Sequence, residues 1–172
     1  MYKECKTFQS RERQKKFKQT LFKMMEKQEF KEITVTALCR EMEVPRKAFY
    51  RYFDTIEDVL NALTDEIITE ASFYVDGQME LEAFFEYWKR QKAFLDVLEK
   101  NGLSQKLMDC CFSIVINSEQ FDMTSAEAMK SSAYISAMVT LVVMWHHNGM
   151  KQSVGEMKHL VLEMFAGESK NN

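Results

Sequence analysis

One proline and five glycines in a chain of 172 residues leave little material for tight turns. The Val/Thr/Ile alternation that marks strands is equally scarce. Both shortages argue against a sheet-built fold and for helices joined by short connections. The four cysteines, Cys5, Cys39, Cys110 and Cys111, follow no framework spacing, and the opening residues 1–19 are charged and polar where an export signal would be apolar. Reduced thiols in a cytoplasmic protein are therefore expected. The longest apolar run, residues 133–145, is about 13 residues long and contains Ser136 and Thr140. A membrane-crossing helix needs about 20, so this run reads as a buried helix and no membrane partner is expected. Also missing are a glycine-rich phosphate loop, a Ser or Cys nucleophile motif and carboxylates paired in an apolar setting. No catalytic residue, cofactor or enzymatic activity is expected.

What is present is helical core material: 46% apolar residues, including 13 methionines and 13 phenylalanines. Charge is divided unevenly along the chain. Residues 1–53 hold 14 Lys and Arg against 7 Asp and Glu, a net of +7, whereas residues 54–172 hold 9 against 19, a net of −10. A basic end on an acidic body points to a polyanion as partner of the first segment.

Phe17, Leu21 and Met25 recur at helical spacing and predict a first helix over 10–27. Thr34 is a suitable N-cap for a second over 35–42, with Leu38 and Met42 inward. Pro45, which fits the first position of a helix, opens a third over about 45–52 after a turn of roughly three residues. Two short helices joined this way form a helix-turn-helix, the unit that lays its second helix in a DNA major groove. A capped helix over 56–75 follows, carrying Ile56, Val59, Leu60, Leu63, Ile67, Ala71 and Tyr74, and Asp76-Gly77 breaks it. Further apolar sets, ending at Asn101-Gly102, Asn148-Gly149 and Phe165, bring the expectation to about nine helices. The fold class is all-α: a three-helix module over 1–54 and a helical bundle over 55–172.

The segment from Thr34 to Val44, then Arg46-Lys-Ala-Phe-Tyr-Arg-Tyr-Phe53, resembles the DNA-binding module of tetracycline-repressor (TetR) family regulators. Phe49-Tyr50 followed by Phe53 and a capped long helix is its most specific part. The ending Trp145-His-His-Asn-Gly149 resembles the C-terminal helices of regulators found near dihydroxyacetone-kinase genes. The resemblance implies a homodimeric, ligand-responsive repressor or activator on a palindromic double-stranded operator. Carried over by position, it implies that Thr34 and Thr36 face DNA at the start of the second helix. Arg46 and Lys47 would reach base edges, and Tyr50, Arg51 and Tyr52 would contact phosphates or flank the groove. Phe49 and Phe53 would be buried. The chain departs from the pattern at Glu29 and Glu43, where many members have glycine, at Pro45 for a capping serine, and at Ile56 for a phosphate-touching lysine.

For residues 55–172 the resemblance implies effector binding and dimerisation. A small apolar or amphipathic effector would meet Phe84, Trp88, Leu107, Cys111, Tyr134 and Met138. The stretch 134–145 is apolar almost all round, so one face is expected on the core and the other on a second subunit. Val139, Val143, Met157, Val161 and Met164 are the expected interface. Two rival readings stand beside this one: a protein of the same fold that has lost DNA binding and acts through protein partners, and a thiol or metal sensor at Cys110 and Cys111 with His146, His147 and His159. Adjacent cysteines on a helix point about 100° apart and do not readily share a metal, so no metal ligand is expected.

Overall fold

A computed structural model of the chain describes residues 7–71, 74–75, 78–116 and 125–166. Nine helices make up most of them. The first, α1 (Phe8–Lys27), starts on a capping box in which the Ser10 N–H and the Thr7 N–H each donate to the other residue's hydroxyl. It buries Phe17, Leu21 and Met25, the stripe that the spacing predicts. A single 3-10 turn, Phe30–Glu32, leads to α2 (Val35–Glu41), where the Thr34 hydroxyl accepts the Ala37 N–H at 3.1 Å.

Next, α3 is only Arg46–Phe49, shorter than the expected 45–52. Pro45 (φ −69°, ψ 147°) occupies the N-cap, one place ahead of the first helical position, and residues 50–52 turn back so that the Phe53 N–H reaches the Phe49 carbonyl at 3.1 Å. A second capping box, Thr55 with Asp58, starts α4 (Ile56–Glu70).

This helix stops at Glu70 instead of reaching 75. Residues 74–75 pair antiparallel with 78–79, Tyr74 opposite Met79 and Val75 opposite Gln78. Tyr and Val favour extended backbone, and Asp76-Gly77 is a hairpin dipeptide in sequence. That local chemistry ends the helix earlier than the apolar period suggests.

In the body, α5 (Leu81–Arg90) and α6 (Lys92–Lys100) are separated by Gln91 alone. They are followed by α7 (Gln105–Ile116), α8 (Ala126–His147) and α9 (Val154–Ala166). Residues 128–147 of α8 are long and apolar enough, by length and composition, to cross a membrane. Their Met138, Val139, Val142 and Trp145 are nonetheless built into the core, with the Trp145 ring perpendicular to Phe85 at 5.7 Å.

No gap in packing separates the first 54 residues from the rest, because one cluster of buried side chains runs from Phe17 and Phe49 through Leu60 to Trp88, Leu107 and Val161. Helix α1 lies against both α4 and α6. Lys18 pairs with Glu66 across the first contact, and Phe22 meets Phe94 at 6.3 Å across the second.

Two helix ends close in the same way with different residues. After α6 the Leu103 N–H returns to the Leu98 carbonyl at 2.8 Å, with Gly102 at φ 67°. After α2 the Val44 N–H returns to the Cys39 carbonyl at 2.9 Å, with Glu43 at φ 53°. Glycine enters this left-handed region freely; a residue with a Cβ loses about 1–2 kcal/mol there. Glu43→Gly relieves that strain and adds unfolded-chain entropy worth about 0.5–1 kcal/mol. The variant should therefore melt roughly 1–4 °C higher than the wild type, which thermal unfolding followed by circular dichroism will read. A lower melting temperature would mean that the Glu43 side chain stabilises the turn.

Candidate nucleic-acid interface

Three phenylalanines hold the second helix of the helix-turn-helix in place. Phe17 of α1 is fully buried and meets Phe49 edge-on at 5.5 Å and Phe53 edge-on at 5.9 Å, while Phe49 and Phe53 lie 5.8 Å apart. Phe49 and Phe53 turn inward, whereas Arg46, Lys47, Tyr50 and Arg51 are all exposed. The Arg46 guanidinium donates to the Tyr50 hydroxyl at 3.0 Å and lies 5.9 Å from the centre of its ring. Thr34 and Thr36 are exposed at the start of α2, with the Thr34 hydroxyl already serving as the cap. Tyr52 is different: it is half-buried and its ring leans on Phe17 at 6.0 Å, so it belongs partly to the module's interior. Arg11, Arg13, Lys15, Lys16 and Arg40 add further exposed cations to the same basic segment.

The six side chains expected around an effector do not line a described cavity. Phe84, Trp88, Leu107, Cys111 and Met138 are buried as packed core, and Tyr134 is half-buried against Phe165 at 4.9 Å. Two cavities bordered by α8, an open groove of about 820 Å³ and a smaller one of about 330 Å³, are lined by other residues. Among the described residues, the buried Trp88 Nε1–H finds no hydrogen-bond acceptor. A buried donor left unmet costs about 1–3 kcal/mol.

Among the expected interface residues, Val139, Met157 and Val161 are buried within the chain itself, and Val143 is half-buried beside the smaller cavity. Only Met164 is exposed, together with Met144, Leu160 and Leu162, which the sequence reading passed over. An all-round apolar helix has no polar face to reveal its rotation, so the inward side of α8 was not readable from sequence.

The thiols sit in a third environment. Cys110 and Cys111 are buried, and burial with Asp65 nearby pushes them up to about 12 and about 11. Thiolate is the nucleophile and the metal ligand, and burial disfavours that form at both sulfurs. Among the described residues no group of three or more His, Cys, Asp and Glu is arranged to hold a metal ion. His146 and His147 face carboxylates instead. The His146 Nε2 is 2.7 Å from Asp96 and the His147 Nδ1 is 2.6 Å from Glu99. This cluster also escaped the sequence reading, since 50 residues separate Asp96 from His146 and no local pattern joins them.

Comparison of the chain with protein-family models, with curated proteins and with solved structures finds none that matches.

Native protein at pH 8 should leave Cys110 and Cys111 unmodified by an alkylating reagent for as long as it stays folded, and label them on unfolding. Peptide mass mapping reads the result. Raised thiol values also set a sign. Their contribution to stability is full below the ordinary value of 9.0 and is lost as pH rises toward about 11 to 12.

Proposed function

We infer that the chain is a DNA-binding transcriptional regulator of the tetracycline-repressor type, working in the cytoplasm as a homodimer on a palindromic operator. The observation that carries this reading is the division of α3 and its following turn. Phe49 and Phe53 lock one side into the module, and the other side presents Arg46, Lys47, Tyr50 and Arg51 to solvent. A short helix fixed from behind and cationic in front is suited to a major groove, where guanidinium and ammonium groups meet guanine and phosphate acceptors. The charge division, +7 over residues 1–53 and −10 beyond, supports the same orientation.

Dimerisation is supported by apolar surface that the chain leaves uncovered. Met144 and Leu160 line the open groove between α8 and α9, and Leu162 and Met164 are exposed on α9 beyond it. Two copies meeting there would bury about 1,200–2,000 Å² in a standard interface. An effector would have to open the core around Trp88, whose unmet N–H would reward a ligand bringing one hydrogen-bond acceptor on an apolar frame.

Selection of bound duplexes from a random pool tests the reading: a palindromic consensus is expected, and no enrichment even at low salt would sink it. On the selected site, Arg46→Ala should lose about 1–3 kcal/mol of binding free energy, with a much smaller loss on scrambled duplex. Phe53→Ala should instead destabilise the fold by about 3–5 kcal/mol through cavity formation. Sedimentation at micromolar concentration should give twice the 20.3 kDa chain mass. The pair Met144→Glu and Leu160→Glu should give a folded monomer that binds the operator weakly, and an unchanged dimer would move the interface elsewhere.

A further inference from the structure

Packing on Phe17 decides which side of the module Arg46 and Tyr50 occupy, but the Arg46 guanidinium stands in solvent at the end of a long side chain. A neighbour four residues on holds it there. The Tyr50 N–H reaches the Arg46 carbonyl at 3.3 Å, one helical turn that brings the two side chains together. The Tyr50 ring rests edge-on to the fully buried Phe49, at 5.4 Å and 89°. Its hydroxyl accepts an N–H from Arg46 Nη2 at 3.0 Å, and the guanidinium carbon lies 5.9 Å from the ring centre.

A tyrosine hydroxyl is neutral, so this contact fixes the guanidinium without cancelling its charge. Nor does it use up the donors that recognise a base. Nη2 belongs to both forks of a guanidinium, the side fork with Nε and the end fork with Nη1, and gives each its own N–H. Whichever of these two N–H groups Tyr50 takes, one complete fork stays open. A fork of two donors needs two acceptors side by side. In the major groove guanine presents them as O6 and N7, whereas adenine sets an N6–H donor beside its N7 and thymine offers O4 alone. A phosphate also has two oxygens for a fork, but it accepts any cation from many directions. A guanidinium held in one place gains most where the acceptor pair is itself fixed on a base.

We propose that Tyr50 is a positioning residue, holding the Arg46 guanidinium so that its open fork meets O6 and N7 of one guanine in each operator half-site. Ordering the long side chain beforehand removes part of the cost that binding otherwise carries. The role rests on the DNA-binding reading, and it differs from the phosphate contact that the resemblance implies for Tyr50.

Tyr50→Phe removes the hydroxyl and keeps the ring on Phe49, and at an exposed position it should melt with the wild type. Wild type, Tyr50→Phe, Arg46→Ala and the double variant are titrated at fixed salt on the duplex selected from the random pool. Tyr50→Phe should lose about 3–10-fold in affinity, the size of one hydrogen bond, and nothing further in the Arg46→Ala background. Each guanine of the half-site is then replaced in turn by 7-deazaguanine, which carries C–H in place of N7. One replacement should weaken the wild type about ten-fold and leave Arg46→Ala unchanged. In the free chain, nitrogen NMR of the Arg46 guanidinium should show slower rotation about Cζ–Nε in the wild type than in Tyr50→Phe.

An equal loss from Tyr50→Phe with and without Arg46 would make the hydroxyl itself a DNA contact, overturning the positioning role while DNA binding stands. Indifference to 7-deazaguanine at every guanine would overturn the base assignment. Equal guanidinium rotation in the two free chains would overturn the hold on Arg46, whatever the duplexes show. Failure to enrich any duplex is a failure of the DNA-binding reading, and removes the role with it.

Discussion

The fully buried Phe17 side chain is the contact on which the rest of the N-terminal architecture depends. It faces Phe49 and Phe53 edge-on, and those two residues bracket the turn that follows the short α3. A helix of four residues has almost no stability of its own, since nucleation alone is unfavourable. It keeps its shape because its last residue and the end of the turn after it are pinned to α1 by aromatic packing, which adds to the burial of apolar area. With that side fixed, Arg46, Lys47, Tyr50 and Arg51 are left exposed. Their positions are consequences of Phe17 more than of any interaction among themselves.

Those pinned helices are not an independent unit. Lys18 with Glu66, Phe22 with Phe94, Lys100 with the Glu26 carbonyl and Asn101 with the Phe30 N–H all cross the 54/55 boundary. Two elements carry that traffic, α4 and α6. A change in the body can thus reach the module by either route, and in each case only through a difference in free energy between two arrangements. α4 does so mainly through packing, which is stiff and insensitive to pH. α6 does so through side-chain hydrogen bonds, from Lys100 and Asn101 toward the module and between Asp96 and His146 toward α8.

The uncovered side of α8 and α9 presents the opposite situation to the module. There apolar side chains stay open to solvent: Met144 and Leu160 at a groove of about 820 Å³, and Leu162 and Met164 elsewhere on α9. An apolar patch of this kind on a chain that buries Trp145 and Met157 just behind it is the usual mark of an interaction surface.

Much was legible in the sequence because it depends on neighbours along the chain. The all-helical class, about nine helices, the cap at Thr34 and the inward stripe Phe17, Leu21 and Met25 all rest on local spacing and local hydrogen bonds. So does the outward set on α3, once Phe49 and Phe53 are read as inward. Other features needed the third dimension. Competition between helix and hairpin chemistry ended α4 at Glu70, because the apolar period says nothing about the local preference of Tyr74, Val75 and the Asp-Gly pair. Glu43 accepts a left-handed turn because Phe49 and Leu38 hold the helices on either side of it, an energy invisible in the tripeptide. The rotation of α8 was set by what packs on it, which took Val139 inward and left Met144 outward. Asp96 and His146 met because α6 and α8 lie side by side, and only tertiary packing brings together two side chains 50 residues apart.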